Sequence, residues 1–317
     1  MLKELGFYRG VNLGGWLSQC NYSMRHMNRF IREADFARIA GWGFDHVRIP
    51  IDYNVIQAPS GRMKLLGLLR IDWALFLCRK YGLHAVLDLH KTRGFSFNVL
   101  DGEDGFFESE KCQKQFYAIW ECFAARYGKM YDSVAFELLN EVTDESYLEP
   151  WKRISKECIR RIRCRAPKTL IMLGSCRSNS AAALPALDAP YDDRIVYNFH
   201  FYRPVSFTHQ GAGWKAHRQD VNRRLTYAET GACEEYFEEC LAPALEKAKK
   251  EGCELYCGEF GVIDKAQPED RLAWFRDVHA VFERHGIARC VWNYKKMDYG
   301  LRDACTKSIR DELLTLI

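Results

Sequence analysis

The sequence predicts an α/β fold, a closed (β/α)8 barrel that forms a single domain over residues 1–317. Two observations support a parallel sheet and its closure. Eight short runs rich in β-branched and aromatic residues alternate with amphipathic stretches of helical period, which is typical of a parallel sheet. Eight such units fit a chain of 317 residues, and no Pro-, Gly- or Ser-rich linker divides it.

The predicted elements follow one another regularly along the chain. The strands are expected at 7–13, 46–51, 84–90, 134–141, 169–175, 195–202, 254–262 and 288–294. Apolar residues recur at helical spacing between them, at 28–41, 71–81, 109–127, 146–165, 233–251 and 268–285. An open doubly wound sheet would need a glycine-rich turn after its first strand. The stretch GWGF at 41–44 precedes a strand and lacks the third glycine, so the closed barrel is favoured.

Composition narrows the class of protein. The formal net charge is +4 with acids and bases interspersed, so nothing favours nucleic acid or an anionic membrane as a partner. The N-terminal stretch MLKELGFYRGVNLGGW has no apolar signal core, and no segment is long enough to cross a bilayer. We therefore expect a monomeric cytoplasmic protein, or a secreted one if a leader has been removed.

Cysteine usage indicates reduced thiols. The 13 cysteines include no CxxC pair and no Cys/His set with the spacing of a zinc site. Cys257 and Cys290 lie in apolar strand-like runs, where a free thiol behaves as a small hydrophobic group. We expect no disulfide framework, no metal and no cofactor.

Polar and aromatic residues cluster within or at the carboxyl ends of six predicted strands. They are Arg48, His90, Asn140, Glu141, His200, Tyr202, Glu259 and Trp292. In a (β/α)8 barrel the carboxyl ends of the strands form the face on which active sites are built. Two of these residues are glutamates. Two carboxylates in one cleft suit glycoside hydrolysis, in which one protonates the leaving oxygen and the other attacks the sugar or activates water.

Seven motifs in order along the chain carry a resemblance to a known family. They are GVNLGGW (10–16), HVRIPIDY (46–53), LDLH (87–90), FELLNEV (136–142), YNFHFY (197–202), YCGEFGV (256–262) and VWNYKKMDYG (291–300). On these motifs the chain resembles glycoside hydrolase family 5, and within it is most similar to the clostridial endoglucanases. The resemblance covers essentially the whole chain. It implies a retaining β-glucanase that acts within β-1,4-linked, or mixed β-1,3-1,4-linked, glucan.

The resemblance also implies roles for the two glutamates. Glu141 would be the general acid/base, with a pKa raised by burial and by the second carboxylate. Glu259 would be the nucleophile, kept ionised by Arg48 and by the hydroxyl of Tyr202.

Further residues would bind the substrate. Asn140 would donate a hydrogen bond to the sugar 2-hydroxyl, and His90 and His200 would bind sugar hydroxyls or orient the acid/base. Trp292 would form an apolar platform beneath the sugar ring. Trp214 would contact the substrate from a loop insertion around 203–232.

Other residues have structural and functional interpretations. Trp16 and Phe95 could line sugar subsites, whereas five tryptophans lie on helical faces and are expected in the core: Trp42, Trp73, Trp120, Trp151 and Trp274. Glu137 lies deeper in its strand than Glu141, where we expect it to pair with an inward-facing basic group. Lys91 departs from the family pattern, which often has a second histidine there; a cation at this position could change salt dependence.

Several alternatives remain at this stage. The same scaffold could serve as a β-mannanase, a glucomannanase or an exo-β-glucanase. A non-catalytic glycan-binding barrel would not need Arg48 and Tyr202 beside Glu259. A phosphate-handling barrel would place its phosphate after strands seven and eight, where Glu259 would repel it.

Overall fold

The computed structural model describes residues 1–215 and 224–317, and in them eight parallel strands close into a barrel. The strands pair in chain order, and the first also pairs with the last. Their bounds are β1 Arg9–Asn12, β2 His46–Asp52, β3 His84–Lys91, β4 Val134–Glu137, β5 Ile171–Gly174, β6 Ile195–Phe201, β7 Leu255–Phe260 and β8 Ala288–Val291. The predicted (β/α)8 barrel is therefore confirmed.

The register shows how the barrel closes. Val11 of β1 lies opposite Val47 of β2 on one side and opposite Val291 of β8 on the other. Because every strand has a neighbour on both sides, the backbone groups have no open sheet edge.

Helices cover the outside of the barrel. The longer ones are Glu33–Gly41, Leu65–Lys80, Glu110–Tyr127, Leu148–Arg163, Glu234–Glu251 and Pro268–Arg284, and shorter ones include Met24–Arg29 and Arg310–Leu316. The single helix predicted at 28–41 is wrong, because the chain breaks between Arg29 and Glu33. Ser23 caps the first of the two helices by accepting a hydrogen bond from the backbone N–H of His26.

The N-terminal segment closes the bottom of the barrel. Phe7 is fully buried, and its ring contacts the imidazoles of His46 and His84, which begin β2 and β3. His46 is also hydrogen-bonded through Nε2 to the hydroxyl of Tyr256 at 2.9 Å. These contacts give the two histidines a structural role, and the opposite end of the barrel is left for the functional site.

The core between strands and helices contains most of the tryptophans predicted there. Trp120, Trp151 and Trp274 are fully buried, and Trp42 is partly buried against the same cluster. Trp73 is 38% exposed, so its assignment to the interior was wrong. Its indole edge still contacts Trp16. The cysteines are present as free thiols, some in the core and some on the surface.

Two further features concern the surface. Within the described residues, no helix combines the length and apolar character needed to cross a membrane. The loop insertion predicted around 203–232 begins after β6, and residues 216–223 of it lie outside the described residues.

Candidate active site

The carboxyl ends of the strands open into a cleft of about 840 Å³. Eight residues predicted from the sequence line it: His90, Asn140, Glu141, His200, Tyr202, Trp214, Glu259 and Trp292. Arg48, the remaining predicted site residue, is fully buried beneath the cleft. The barrel thus brings together residues that are separated by as many as 244 positions, because parallel strands end on the same face.

Glu141 and Glu259 lie close together in the cleft. An oxygen of each carboxylate and a ring nitrogen of His200 all lie within 4.8 Å of one another. Glu141 does not belong to β4, which ends at Glu137; the predicted strand 134–141 was too long. Glu141 has a φ of 31°, a backbone conformation that is costly for a residue with a side chain and that often occurs at functional sites.

Two donors hold the carboxylate of Glu259. Arg48 donates from Nη1 to Oε1 at 2.7 Å, and the hydroxyl of Tyr202 donates to Oε2 at 2.9 Å. Burial and the neighbouring Glu259 raise the pKa of Tyr202 well above its usual value, so the phenol keeps its proton and remains a donor. Each oxygen of the Glu259 carboxylate therefore accepts a hydrogen bond, one of them from a positively charged donor.

Arg48 also binds the deeper carboxylate Glu137. Its Nε donates to one oxygen of Glu137 at 2.6 Å and its Nη2 donates to the other at 2.8 Å, which is a bidentate ion pair. The predicted pairing of Glu137 with an inward-facing base is confirmed. Burial lowers the pKa of Arg48, but the carboxylates of Asp88, Glu137 and Glu259 outweigh burial and raise it well above its ordinary value.

The guanidinium of Arg48 orients two amide side chains as well. Nη1 donates to Oδ1 of Asn12 and Nη2 donates to Oδ1 of Asn140, both at 2.9 Å. Since the amide oxygen of Asn140 is occupied, its NH2 group is the part left to meet a ligand in the cleft. Asn12 in turn donates from Nδ2 to the backbone oxygen of Gly258, the residue before Glu259.

Two histidines contact carboxyl groups at the site. His200 is hydrogen-bonded through Nδ1 to Glu141 at 2.8 Å, and burial lowers the pKa of His200 to about 4, so its ring is neutral near pH 7. His90 is hydrogen-bonded through Nδ1 to Asp88 at 2.7 Å, and burial lowers the pKa of its ring too. Burial also raises the pKa of Asp88 to about 7.

Aromatic rings form one wall of the cleft. The indole of Trp292 is parallel to the imidazole of His90, at 6.0 Å and 4°, and Phe97 meets the same imidazole edge-on. Gly14 lies against the indole, since a Cβ there would come within 2.4 Å of the ring. A side chain at position 14 would therefore displace the platform.

The other predicted aromatic ligands divide into one that reaches the cleft and two that do not. Trp214 is 55% exposed at the cleft, with its ring edge-on to His209 at 6.5 Å. Trp16 is fully buried and donates from Nε1 to the backbone oxygen of Met27, so its proposed subsite role is wrong. The subsite role predicted for Phe95 is also wrong, because this residue is buried with its ring edge-on to Phe107.

Sequence reasoning missed several residues of the site. Asp88 and Asn12 both contact Arg48. Asp88 could have been found, because it is two residues before His90 and so faces the same side of β3. Arg177 and Arg203 line the cleft from the loops after β5 and β6, and no pattern in the sequence singled them out.

The cluster of Glu141, His200 and Glu259 also has the composition of a metal site. Most of its ligand atoms are engaged: Nδ1 of His200 contacts Glu141 and both oxygens of Glu259 accept hydrogen bonds, whereas the buried Nε2 of His200 has no hydrogen-bond partner among the described residues. The guanidinium of Arg48 is a cation 2.7 Å from Glu259 and opposes a second cation there. The donor set therefore fits a metal-independent carboxylate pair better than a metal centre.

Comparisons with known proteins agree on one family. Residues 11–298 match the family described as Cellulase (glycosyl hydrolase family 5). Cellodextrinase A from Ruminococcus flavefaciens is 48% identical, over 100% of this chain and 94% of its own length. Endoglucanase C from Acetivibrio thermocellus is 38% identical, over 99% of this chain and 98% of its own length.

A solved structure extends the agreement to the fold. Thermotoga maritima Cel5A in complex with cellobiose superposes with a TM-score of 0.83 at 26% identity, covering 98% of this chain and 99% of that one. The chain therefore belongs to the cellulase family, glycosyl hydrolase family 5, and is a glycoside hydrolase of the type that hydrolyses β-glucan.

Proposed function

We propose that the protein cleaves β-1,4-glucosidic bonds within β-glucan chains with retention of configuration, with Glu259 as nucleophile and Glu141 as general acid/base. The close approach of the two carboxylates carries this proposal. Retaining glycosidases have carboxyl groups about 5–5.5 Å apart, whereas inverting enzymes leave about 6.5–9.5 Å for a water. Oxygens of Glu141 and Glu259 within 4.8 Å of each other support the retaining arrangement.

The surroundings of each carboxylate support the division of roles. A nucleophile must stay ionised, and Glu259 accepts hydrogen bonds from the Arg48 guanidinium and the Tyr202 phenol. An acid/base must exchange a proton with solvent-derived groups. The Glu141 side chain is 18% exposed against 8% for Glu259, and its partner His200 is neutral.

The reaction then has two steps. In the first, Glu259 attacks the anomeric carbon while Glu141 protonates the departing glycosidic oxygen, which gives a covalent glycosyl-enzyme. In the second, Glu141 removes a proton from a water that attacks the same carbon and releases Glu259. The NH2 of Asn140, fixed by Arg48, would donate to the sugar 2-hydroxyl in both transition states.

Two substrate lengths are candidates for the preferred substrate, a polymeric glucan and a short cellodextrin. Action within polymeric glucan is supported by the relative named Endoglucanase C. Action on short soluble cellodextrins is supported by the more similar relative named Cellodextrinase A. Rates on hydroxyethyl cellulose and on cellotetraose separate the two candidates. An enzyme that cleaves within chains should lower the viscosity of hydroxyethyl cellulose steeply while few new reducing ends form. A cellodextrinase should instead cleave cellotetraose far faster than the polymer. Mixed-linkage glucan, glucomannan and mannan in the same assay test the remaining substrates.

Azide rescue of two alanine variants tests the roles. With an aryl β-cellobioside that has a good leaving group, Glu141→Ala should still form the glycosyl-enzyme while turnover falls by about 10²–10⁴-fold for want of a base. Azide needs no base, so it should restore turnover and release the β-glycosyl azide. Glu259→Ala should form no glycosyl-enzyme.

The matched control is Glu149→Ala, which removes an exposed carboxylate that pairs with Lys152 on an outer helix. This variant should keep the rate of the unmodified protein. Formation of the β-azide by Glu259→Ala, or full activity of Glu141→Ala on glucan, would contradict the assignment.

A further inference from the structure

Two arginines line one wall of the cleft, and neither forms an ion pair with another described residue. Arg177 follows β5 and Arg203 follows β6, and these two strands pair directly. Both residues are exposed. Within residues 1–215 and 224–317, neither guanidinium has a hydrogen-bond or ion-pair partner, whereas Arg48 below the cleft contacts three carboxylates.

An unusual turn places Arg177 in this wall. Arg177, Ser178 and Asn179 all have positive φ values, of 57°, 54° and 54°, a left-handed conformation that is costly for residues with side chains. Ser178 donates its backbone N–H to the oxygen of Val142, the residue after Glu141. The turn is therefore tied to the loop that carries the proposed acid/base.

Asn179 and Ser180 connect the turn to the strands beneath it. Asn179 is fully buried against Gly174, where an added Cβ would lie 2.2 Å from its Oδ1. Ser180 forms a bridge with His200, whose ring contacts Glu141. The backbone on the C-terminal side of Arg177 is thus tied through Ser178 to the segment that follows Glu141 and through Ser180 to His200.

The position of the two arginines relative to the scissile bond follows from the proposed function, on which this inference rests. Trp292, the platform, follows β8, and its neighbour His90 lies near the end of β3, on the opposite side of the carboxylates from β5 and β6. The sugar that becomes attached to Glu259 would lie over that platform. The departing sugar would then extend past Glu141 towards the wall that carries Arg177 and Arg203.

We propose that this wall is a leaving-group subsite for a sugar acid, a β-glucan oligosaccharide whose reducing-end sugar carries a carboxylate. Guanidinium groups bind carboxylates by paired N–H donors, and Trp214 on the same side offers a ring face to the sugar. Elsewhere in the cleft an anionic sugar would meet Glu141, Glu259 and Asp298, which repel it. The acidic sugar is therefore favoured on the departing side alone.

Two oligosaccharides of equal length isolate the charge. Cellotetraonate carries a carboxylate on its opened reducing-end residue, and cellotetraitol has the same opened residue without charge. At low ionic strength the unmodified protein should show a kcat/KM for cellotetraonate about 3–10-fold above that for cellotetraitol. Sodium chloride at 0.5 M should bring the ratio close to one, because exposed charges are screened.

The double variant R177Q/R203Q should lower the same ratio to about one at low ionic strength. The control variant is Arg79→Gln, which removes an exposed arginine at the end of helix Leu65–Lys80, outside the cleft lining, and should keep the ratio of the unmodified protein. A ratio of one in the unmodified protein, or an unchanged ratio in R177Q/R203Q, would overturn the subsite while leaving the hydrolase assignment intact. Failure to cleave neutral cellotetraose as well would overturn both.

Discussion

Replacing Arg48 by methionine keeps an unbranched side chain, shorter than that of arginine, and removes the guanidinium. The side chain is fully buried, and its nitrogens lie 2.6 Å from Glu137, 2.7 Å from Glu259 and 3.0 Å from Asp88. Breaking a buried ion pair by removing one partner costs about 3–5 kcal/mol, because the other charge is left uncompensated. For a chain of 317 residues this free energy lowers Tm by about 4–8 °C.

Arg271→Met is the matched control. Arg271 is 1% exposed, and its Nη2 donates to the hydroxyl of Thr306 at 3.2 Å. Among the residues that the structure describes, it makes no ion pair. Removing it should therefore cost about 1–2 kcal/mol of unfolding free energy or less, since no carboxylate is left behind.

Calorimetry between pH 5 and pH 8 measures the difference. Without Arg48, the folded-state pKa values of Asp88 and Glu137 rise further above their unfolded values. A carboxyl group whose pKa is higher in the folded state than in the unfolded state stabilises the fold at a pH below its unfolded-state pKa. This stabilisation is lost as the pH rises through its folded-state pKa. The Tm deficit of Arg48→Met should therefore be larger at pH 8 than at pH 5. Equal deficits for the two arginine variants, or a deficit independent of pH, would refute this account of the buried network.

Three further predictions concern single side chains. Burial raises the pKa of Asp88 to about 7, so the protein should lose stability as the pH rises from about 4 to 7, and Asp88→Asn should flatten that decline in Tm. Lys91→Met breaks the ion pair with Asp101 at 3.1 Å, and KM should rise and become insensitive to salt while kcat is retained. Trp214→Ala should raise KM with an unchanged Tm, whereas Trp16→Ala should cost about 3–5 kcal/mol of stability.

The fold could be predicted because its signals are local and repeated. Each strand is a short apolar run, and eight of them in a chain of this length leave few arrangements other than a barrel. The placement of Glu141 and Glu259 followed from the same reasoning, since residues after parallel strands meet on one face. Glu137 and Glu141 were told apart because Glu137 precedes Glu141 by four residues and so lies deeper in the barrel, whereas Glu141 lies at the rim.

The features that could not be predicted depend on contacts between distant loops. Trp16 and Trp214 both follow strands and both lie near glycines, yet one is packed under the helix Met24–Arg29 and the other is exposed. The salt bridge between Lys91 and Asp101 joins the end of β3 to a loop ten residues away. The left-handed turn at Arg177 contains no glycine that would indicate it in the sequence. Its residues are of types that rarely adopt a positive φ, so the turn could not be predicted from them.

The donor count of one side chain explains why Arg48, and not a lysine, lies at the centre of this site. A guanidinium has five N–H donors, and all five are used, in two bonds to Glu137 and one each to Glu259, Asn12 and Asn140. Asp88 lies 3.0 Å from Nη2 but receives none of these donors. Its Oδ2 is hydrogen-bonded to Nδ1 of His90, and its Oδ1 has no hydrogen-bond partner among the described residues. Burial outweighs the attraction of the Arg48 charge and raises the pKa of Asp88 to about 7. A lysine has three donors and could not hold the proposed nucleophile, the buried glutamate and both amides together.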